Sequence, residues 1–291
     1  MRPRTVWRDE GGRARLEAGY ERFRARVAPP TERAVVRSRL GPSHVLISGA
    51  PTNPPLVCLH AMRTSSAHLL SELNPLAARY RLVAPDLPGQ SVKGPQVRVS
   101  LSDDTLSGWL MDVMDGLRLD SVPVLGVSWG GFLALKSALA HPDRVRRLIL
   151  VVPAGIVSGS HWRGLAEMAI PMLRYRMRPS PANLSSLLAP ILTTLDEHWV
   201  SDMGGALRDM KIDPRIPPLV SDHALSQLCV PTLVMGAEED ISFPGVPMLE
   251  RVRAQVPSVE TELLTASKHC PPTTPEFQGW MAERVARFLG A

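Results

Sequence analysis

From Val35 onward the sequence alternates strand-like and helix-like segments in a nearly unbroken order. RAVVRSRL and HVLISG are two alternating strands around Gly41-Pro42, and PPLVCLH is a hydrophobic strand ending in a polar turn. Helical SSAHLLSELNPLAARY, strand RLVAP, helix LSGWLMDVMDGLRL, strand SVPVLGV, helix WGGFLALKSALA and strand RVRRLILVVP follow. Such alternation predicts a mostly parallel sheet with helices on both faces and ligands beyond the carboxyl ends of the strands. Between about Ala154 and Leu228 the strand signal stops. Apolar residues there take helical spacing, interrupted by Pro171, Pro179, Pro181 and Pro190, which reads as a helical insertion. Strands resume at VPTLVMGA and ETELLT, and PEFQGWMAERVARFLGA closes the chain as an amphipathic helix.

A chain of 291 residues, 44% hydrophobic, can bury one large core, so one domain with an insertion is expected. The expected divisions are a basic helical segment at 1–33, a core at 34–153 and 229–291, and a helical cap at 154–228. The longest apolar run, LILVVPAGIV, is too short to cross a bilayer, and the N-terminus is charged where a signal peptide would be apolar; a cytoplasmic protein with no membrane partner is expected. Cys58, Cys229 and Cys270 form no metal-ligand or redox spacing, so buried free thiols and no metal are expected. The net charge of +5 does not indicate a nucleic-acid partner. Residues 1–40 hold eleven Arg against five Asp or Glu, a net of +6, leaving the rest near −1; this reads as a solvated arm or a clasp on the domain surface.

The junction VLGVSWGGFLAL requires explanation, because it sets a lone hydroxyl among three glycines. Gly126, Gly130 and Gly131 remove Cβ atoms on both sides of Ser128, as a sharp strand-to-helix reversal requires. By itself this could be a glycine-rich turn that happens to carry a serine. For Ser128 to act as a nucleophile it needs a base, an acid to orient that base, and donors for an oxyanion. Among the eight histidines, His269 directly follows a strand and precedes the rigid CPPTTP loop, so it is the expected base. His60 also ends a strand but lies before the nucleophile. After VPTLVMGA come Glu238, Glu239 and Asp240; Asp240, furthest out in the loop, is the expected acid, with Glu239 in reserve. The main-chain N–H groups of Met62, in LVCLHAMRTSS, and of Trp129 are the expected oxyanion donors.

The GVSWGG elbow, the LHAM turn, VAPDLPGQS after the next strand, GAEED after a late strand and the terminal KHCPP together resemble the α/β-hydrolase family, in the chain order Ser, Asp, His. The resemblance covers roughly Val35 to Ala291 and leans to its carboxylesterase-like branch. It implies an α/β fold of three layers, with a mainly parallel eight-stranded sheet, a helical cap and a Ser128, His269, Asp240 triad. Two residues depart from the family pattern: Ala61 stands where most members carry Gly, and Lys268 replaces the usual Gly before the base. Lys268 is expected to point to solvent, and Asp86, before Pro88-Gly89, is expected to be a turn-maker.

Serine at the elbow favours acyl chemistry: a cofactor-free serine hydrolase acting on small-molecule carboxylic esters, with monomer and homodimer both left open. The pocket is expected to use His60, Trp162, Met168, Met172 and Trp199. Similar elbows occur in relatives that cleave N-terminal proline from peptides, in C–C bond hydrolases and in perhydrolases. For the peptidase, Asp196, Glu197 and Asp202 would have to form an acidic cluster for an amino terminus. A ligand-binding protein that has lost turnover is the alternative of another class.

Overall fold

Apolar runs such as VPVLGV and VRRLILV are stable as strands only when both faces are covered. The computed structural model, which describes residues 5–160, 165–211, 213 and 215–290, sets both at the centre of one eight-stranded sheet. Its strands are β1 (Thr31–Ser38), β2 (Gly41–Ser48), β3 (Pro55–Leu59), β4 (Arg81–Pro85), β5 (Val122–Val127), β6 (Val145–Val151), β7 (Thr232–Ala237) and β8 (Val259–Leu264). Their spatial order is β1-β2-β4-β3-β5-β6-β7-β8. The β1–β2 and β2–β4 pairs are antiparallel and every other pair is parallel.

Strand alternation divides the apolar side chains between two layers. On one side Val57, Val124, Leu148, Leu150 and Val234 pack with α3 (Thr105–Gly116), α4 (Trp129–Ala140) and α9 (Gly245–Gln255). On the other, Leu56, Cys58, Leu125, Ile149 and Met235 pack with α1 (Glu10–Arg24), α2 (Ser66–Glu72) and α10 (Pro275–Leu289). The helix expected over 65–80 is interrupted: α2 ends at Glu72 and a 3₁₀ turn, Asn74–Ala78, follows with Pro75 in its first turn. Proline is compatible with a helix start but not with an interior.

Between β6 and β7 lie α5 (Ile170–Met177), α6 (Pro181–Leu188), α7 (Glu197–Asp209) and the short α8 (Asp222–Ser226). The basic N-terminal segment is a clasp on this region. Tyr20 and Phe23 of α1 are buried in the core, and Arg15 makes a two-pronged ion pair to Asp209 of α7, at 2.9 and 2.7 Å. Arg22 pairs with Asp202 of the same helix. No helix among the described residues is long and apolar enough to cross a membrane.

The three thiols are not all buried, contrary to expectation. Cys58 is in the core, Cys270 is half-buried, and Cys229 is exposed because Leu228 and Val230 on either side turn inward.

Candidate active site

β5 lies beside β3, whose other neighbour is β4, so the crevice at this change of direction opens above the end of β5. Ser128 occupies that end. Its φ of 52° and ψ of −111° are unusual for a residue with a side chain, a strain of about 1–3 kcal/mol. Three main-chain hydrogen bonds hold it: the Ser128 N–H donates to the Val151 carbonyl, and the Ser128 carbonyl accepts from Phe132 and Ala154. A Cβ at Gly126 would collide with the Gly130 carbonyl, and one at Gly130 with the Leu59 carbonyl, so both glycines are required for strand, helix and neighbouring loop to approach. Gly131 meets Pro153 in the same way.

The Ser128 hydroxyl lies 2.9 Å from His269 Nε2, and His269 Nδ1 lies 2.7 Å from Asp240 Oδ2. The other Asp240 oxygen accepts the N–H groups of Ser242 and Phe243, at 2.7 and 3.0 Å. Burial alone would raise the Asp240 carboxyl. The facing His269 and these two donors outweigh it and hold the group below the ordinary carboxylate range. Glu238 and Glu239 are exposed, so burial separates Asp240 from both. The loops after β7 and β8 are tied together where these residues meet: Glu239 N–H donates to the Ser267 carbonyl, and Ala266 N–H to the Glu238 carboxylate.

Met62 and Trp129 border one cavity with Ser128, and among the described residues neither N–H donates to a protein acceptor. Ala61, despite its added methyl, does not adopt a positive φ, so glycine is not required there. Its carbonyl accepts from Thr64 Oγ1 at 2.9 Å and faces His60 Nδ1 at 2.8 Å. His60 itself does not line a pocket, contrary to expectation. Its ring is fully buried, and Nε2 accepts the Leu87 N–H at 2.9 Å, which clamps the Ala61–Met62 turn to the loop after β4. Burial lowers His60 to about 4, against the pull of Asp86 and its bond to Ala61, so the ring is neutral at neutral pH.

Asp86 does far more than make a turn. Fully buried, it accepts from the Ser66 N–H and hydroxyl, at 3.1 and 2.7 Å, and from the Ser91 hydroxyl at 2.6 Å, and it faces His44 Nδ1 at 2.8 Å. Neither Ser66 nor His44 carries a sequence signal for this role, because each comes from a different element.

Lys268 does not point to solvent. Its ammonium donates to the Ala189 carbonyl at 2.8 Å, its N–H to Thr193 Oγ1, and the flanking Cys270 makes an isolated bridge to Leu192. Backbone on either side of the base is therefore fastened to the segment between β6 and β7. Burial pushes the Cys270 thiol up to about 12, which disfavours its thiolate.

Two cavities meet at Ser128 and His269. One, of about 420 Å³, is bordered by Met168, Ile216, Ile241 and Phe243. The other, of about 160 Å³, is walled by Leu69, Leu73, Leu125, Trp199, Met203 and Phe277, with Glu72 and Gln278. Met168 and Trp199 are thus at the site. Met172 borders neither cavity, contrary to expectation. Trp162 lies outside the described residues. The acidic trio does not converge on the cavities: Asp196 caps α7, Asp202 pairs with His68 and Arg22, and Glu197 is exposed.

A family model described as the alpha/beta hydrolase fold matches residues 54–187. Together with the sheet order and the elbow, this shows the alpha/beta hydrolase fold. Among proteins of that fold it is similar to carboxylesterases. It is 26% identical over 265 residues to the protein called uncharacterized carboxylesterase nap of Bacillus subtilis (strain 168), covering 88% of this chain and 86% of that one. It is also 26% identical over 267 residues to carboxylesterase YbfK of the same organism, covering 89% and 88%. The solved structure of naproxen esterase from Bacillus subtilis superposes with a TM-score of 0.81 at 22% identity, covering 95% of this chain and 97% of that one.

Proposed function

We propose that the protein hydrolyses carboxylic esters of small molecules through an acyl-enzyme on Ser128, with His269 as base, Asp240 as its orienting acid, and the Met62 and Trp129 N–H groups as oxyanion donors. The observation that carries this reading is the unbroken relay from the strained Ser128 hydroxyl through His269 to buried Asp240, placed where two cavities meet. Likeness to the two carboxylesterases along most of the chain supports the ester as substrate.

In the proposed reaction His269 Nε2 takes the Ser128 proton as the hydroxyl oxygen attacks the ester carbonyl. Asp240 holds the ring with Nδ1 protonated and stabilises the imidazolium that forms. The tetrahedral oxyanion sits between the two main-chain donors, which are held in place and need no rearrangement. His269 then gives the proton to the departing alcohol. A water activated by the same ring attacks the acyl-enzyme and releases the acid. The two cavities hold the two arms of the ester, and residues 154–228 serve as the cap over them.

The test is turnover of p-nitrophenyl acetate, butyrate and octanoate by the wild type and by Ser128→Ala, with folding checked by circular dichroism. The expected result is a loss of about 10⁴-fold or more in the folded variant. A folded wild type that neither turns over any ester nor labels with a fluorophosphonate contradicts the reading and favours ligand binding.

A further inference from the structure

Among the described residues the smaller cavity is bordered by one carboxyl group, and the proposed reaction leaves it unused. Glu72, the last residue of α2, borders it among Leu69, Leu73, Met203 and Phe277. Its Oε1 accepts the Trp199 indole N–H at 2.9 Å and its Oε2 the Gln278 amide at 2.7 Å. Both donors are neutral, and each carboxylate oxygen retains a further acceptor direction. Among the described residues no Lys or Arg borders this cavity. Arg26, exposed on the surface, acts on Glu72 only through space, and Asp196 opposes it. Burial raises the Glu72 carboxyl above its ordinary value despite the two hydrogen bonds.

A carboxylate in an apolar wall, held by neutral donors alone, has lost much of its hydration without gaining a counter-charge. That loss is incurred when the protein folds. A ligand cation reaching the same wall would gain a charge-assisted hydrogen bond without desolvating the carboxylate again. The aliphatic and aromatic residues that line this cavity with Ser128 and Glu72 suit an uncharged stem. We propose that this cavity selects esters with an arm that ends in a protonated amine, read by Glu72; this rests on the ester-hydrolase reading above.

The opposing explanation is mechanical: Glu72 accepts from α7 and α10 at once and so staples them to α2. The experiment compares kcat/KM for the p-nitrophenyl esters of ω-aminohexanoic acid and of its methyl-ended isostere, heptanoic acid, at neutral pH, in the wild type, Glu72→Gln and Glu72→Asp. The wild type is expected to favour the amine-ended ester by about tenfold or more, Glu72→Gln to favour the methyl-ended one, and Glu72→Asp to keep the wild-type order. A uniform loss on both esters in Glu72→Gln, or a wild type that prefers the methyl-ended ester, overturns the inference while leaving the hydrolase reading intact. Calorimetric binding of n-hexylammonium to Ser128→Ala separates the two further. Binding that disappears when Glu72→Gln is added supports the amine site whether or not any ester turns over, and no binding overturns it.

Discussion

Among the described residues, two buried carboxylates pair with an imidazole through its Nδ1 in nearly the same geometry. His269 Nδ1 lies 2.7 Å from Asp240 and His44 Nδ1 lies 2.8 Å from Asp86. Both acids are buried and both are held below their ordinary value although burial opposes it. What differs is the surroundings. The far nitrogen of His269 meets a strained serine at the edge of two cavities, whereas Asp86 spends its remaining acceptor capacity on Ser66 and Ser91 inside the core. A short His–Asp contact is therefore no sign of catalysis by itself; in the proposed mechanism its role is set by what the second imidazole nitrogen faces.

Removing each acid in turn gives the sharpest contrast. Asp240→Asn should leave a folded protein whose ester turnover is lower by about 10³–10⁴-fold, because the imidazole loses its oriented tautomer and the support for its charge. Steady-state kinetics beside circular dichroism reads this. Similar rates in variant and wild type would remove Asp240 from the proposed triad.

Asp86→Asn should do the reverse. It exchanges an acceptor-only hub for an amide that cannot satisfy four donors, and should destabilise by about 2–4 kcal/mol in urea unfolding while the turnover of the folded fraction stays within about twofold. A selective loss of turnover with unchanged stability would erase the distinction between the pairs.

The effect that is smallest near neutral pH is an acid-dependent loss of stability centred on His60, whose ring lies 3.9 Å from Asp86. Its value falls from 6.5 to about 4 on folding, so the unfolded chain binds the proton first. The stability it contributes is complete above about 6.5 and lost as pH falls toward 4, to a limit of about 3 kcal/mol. The depressed carboxyls of Asp86 and Asp240 add their own loss at lower pH, as each is protonated through its folded value. Thermal unfolding across that range should show the His60 limb first, and His60→Gln should flatten it alone.

Most of the fold was legible because strand and helix periods are local. Each strand expected from the sequence is present, and the elbow could be read because glycine spacing around Ser128 answers a steric need within a few residues. The choice of Asp240 over Glu239 rested on place in a loop, and the structure separates them by burial. The misreadings share a cause. Asp86 looked like a turn-maker, His60 like a pocket residue and Lys268 like a solvent-facing side chain, and in each case the partner comes from another strand, from the loop after another strand or from the segment before β7. Glu72 had no signal at all, since Trp199 and Gln278 lie 127 and 206 residues away.

The sequence by itself determined the layers of this protein: which segments are strands, which helices cover them, and where a serine is forced into a tight apex. Those follow from side-chain periodicity and backbone sterics, which act over a few residues. Only the tertiary structure decided which polar groups share the interior, because buried donors and acceptors must be matched in space, and the chain brings their partners from wherever the fold passes. The clamp on the His269 loop, the Asp86 hub and the carboxylate in the apolar cavity are all matches of that kind.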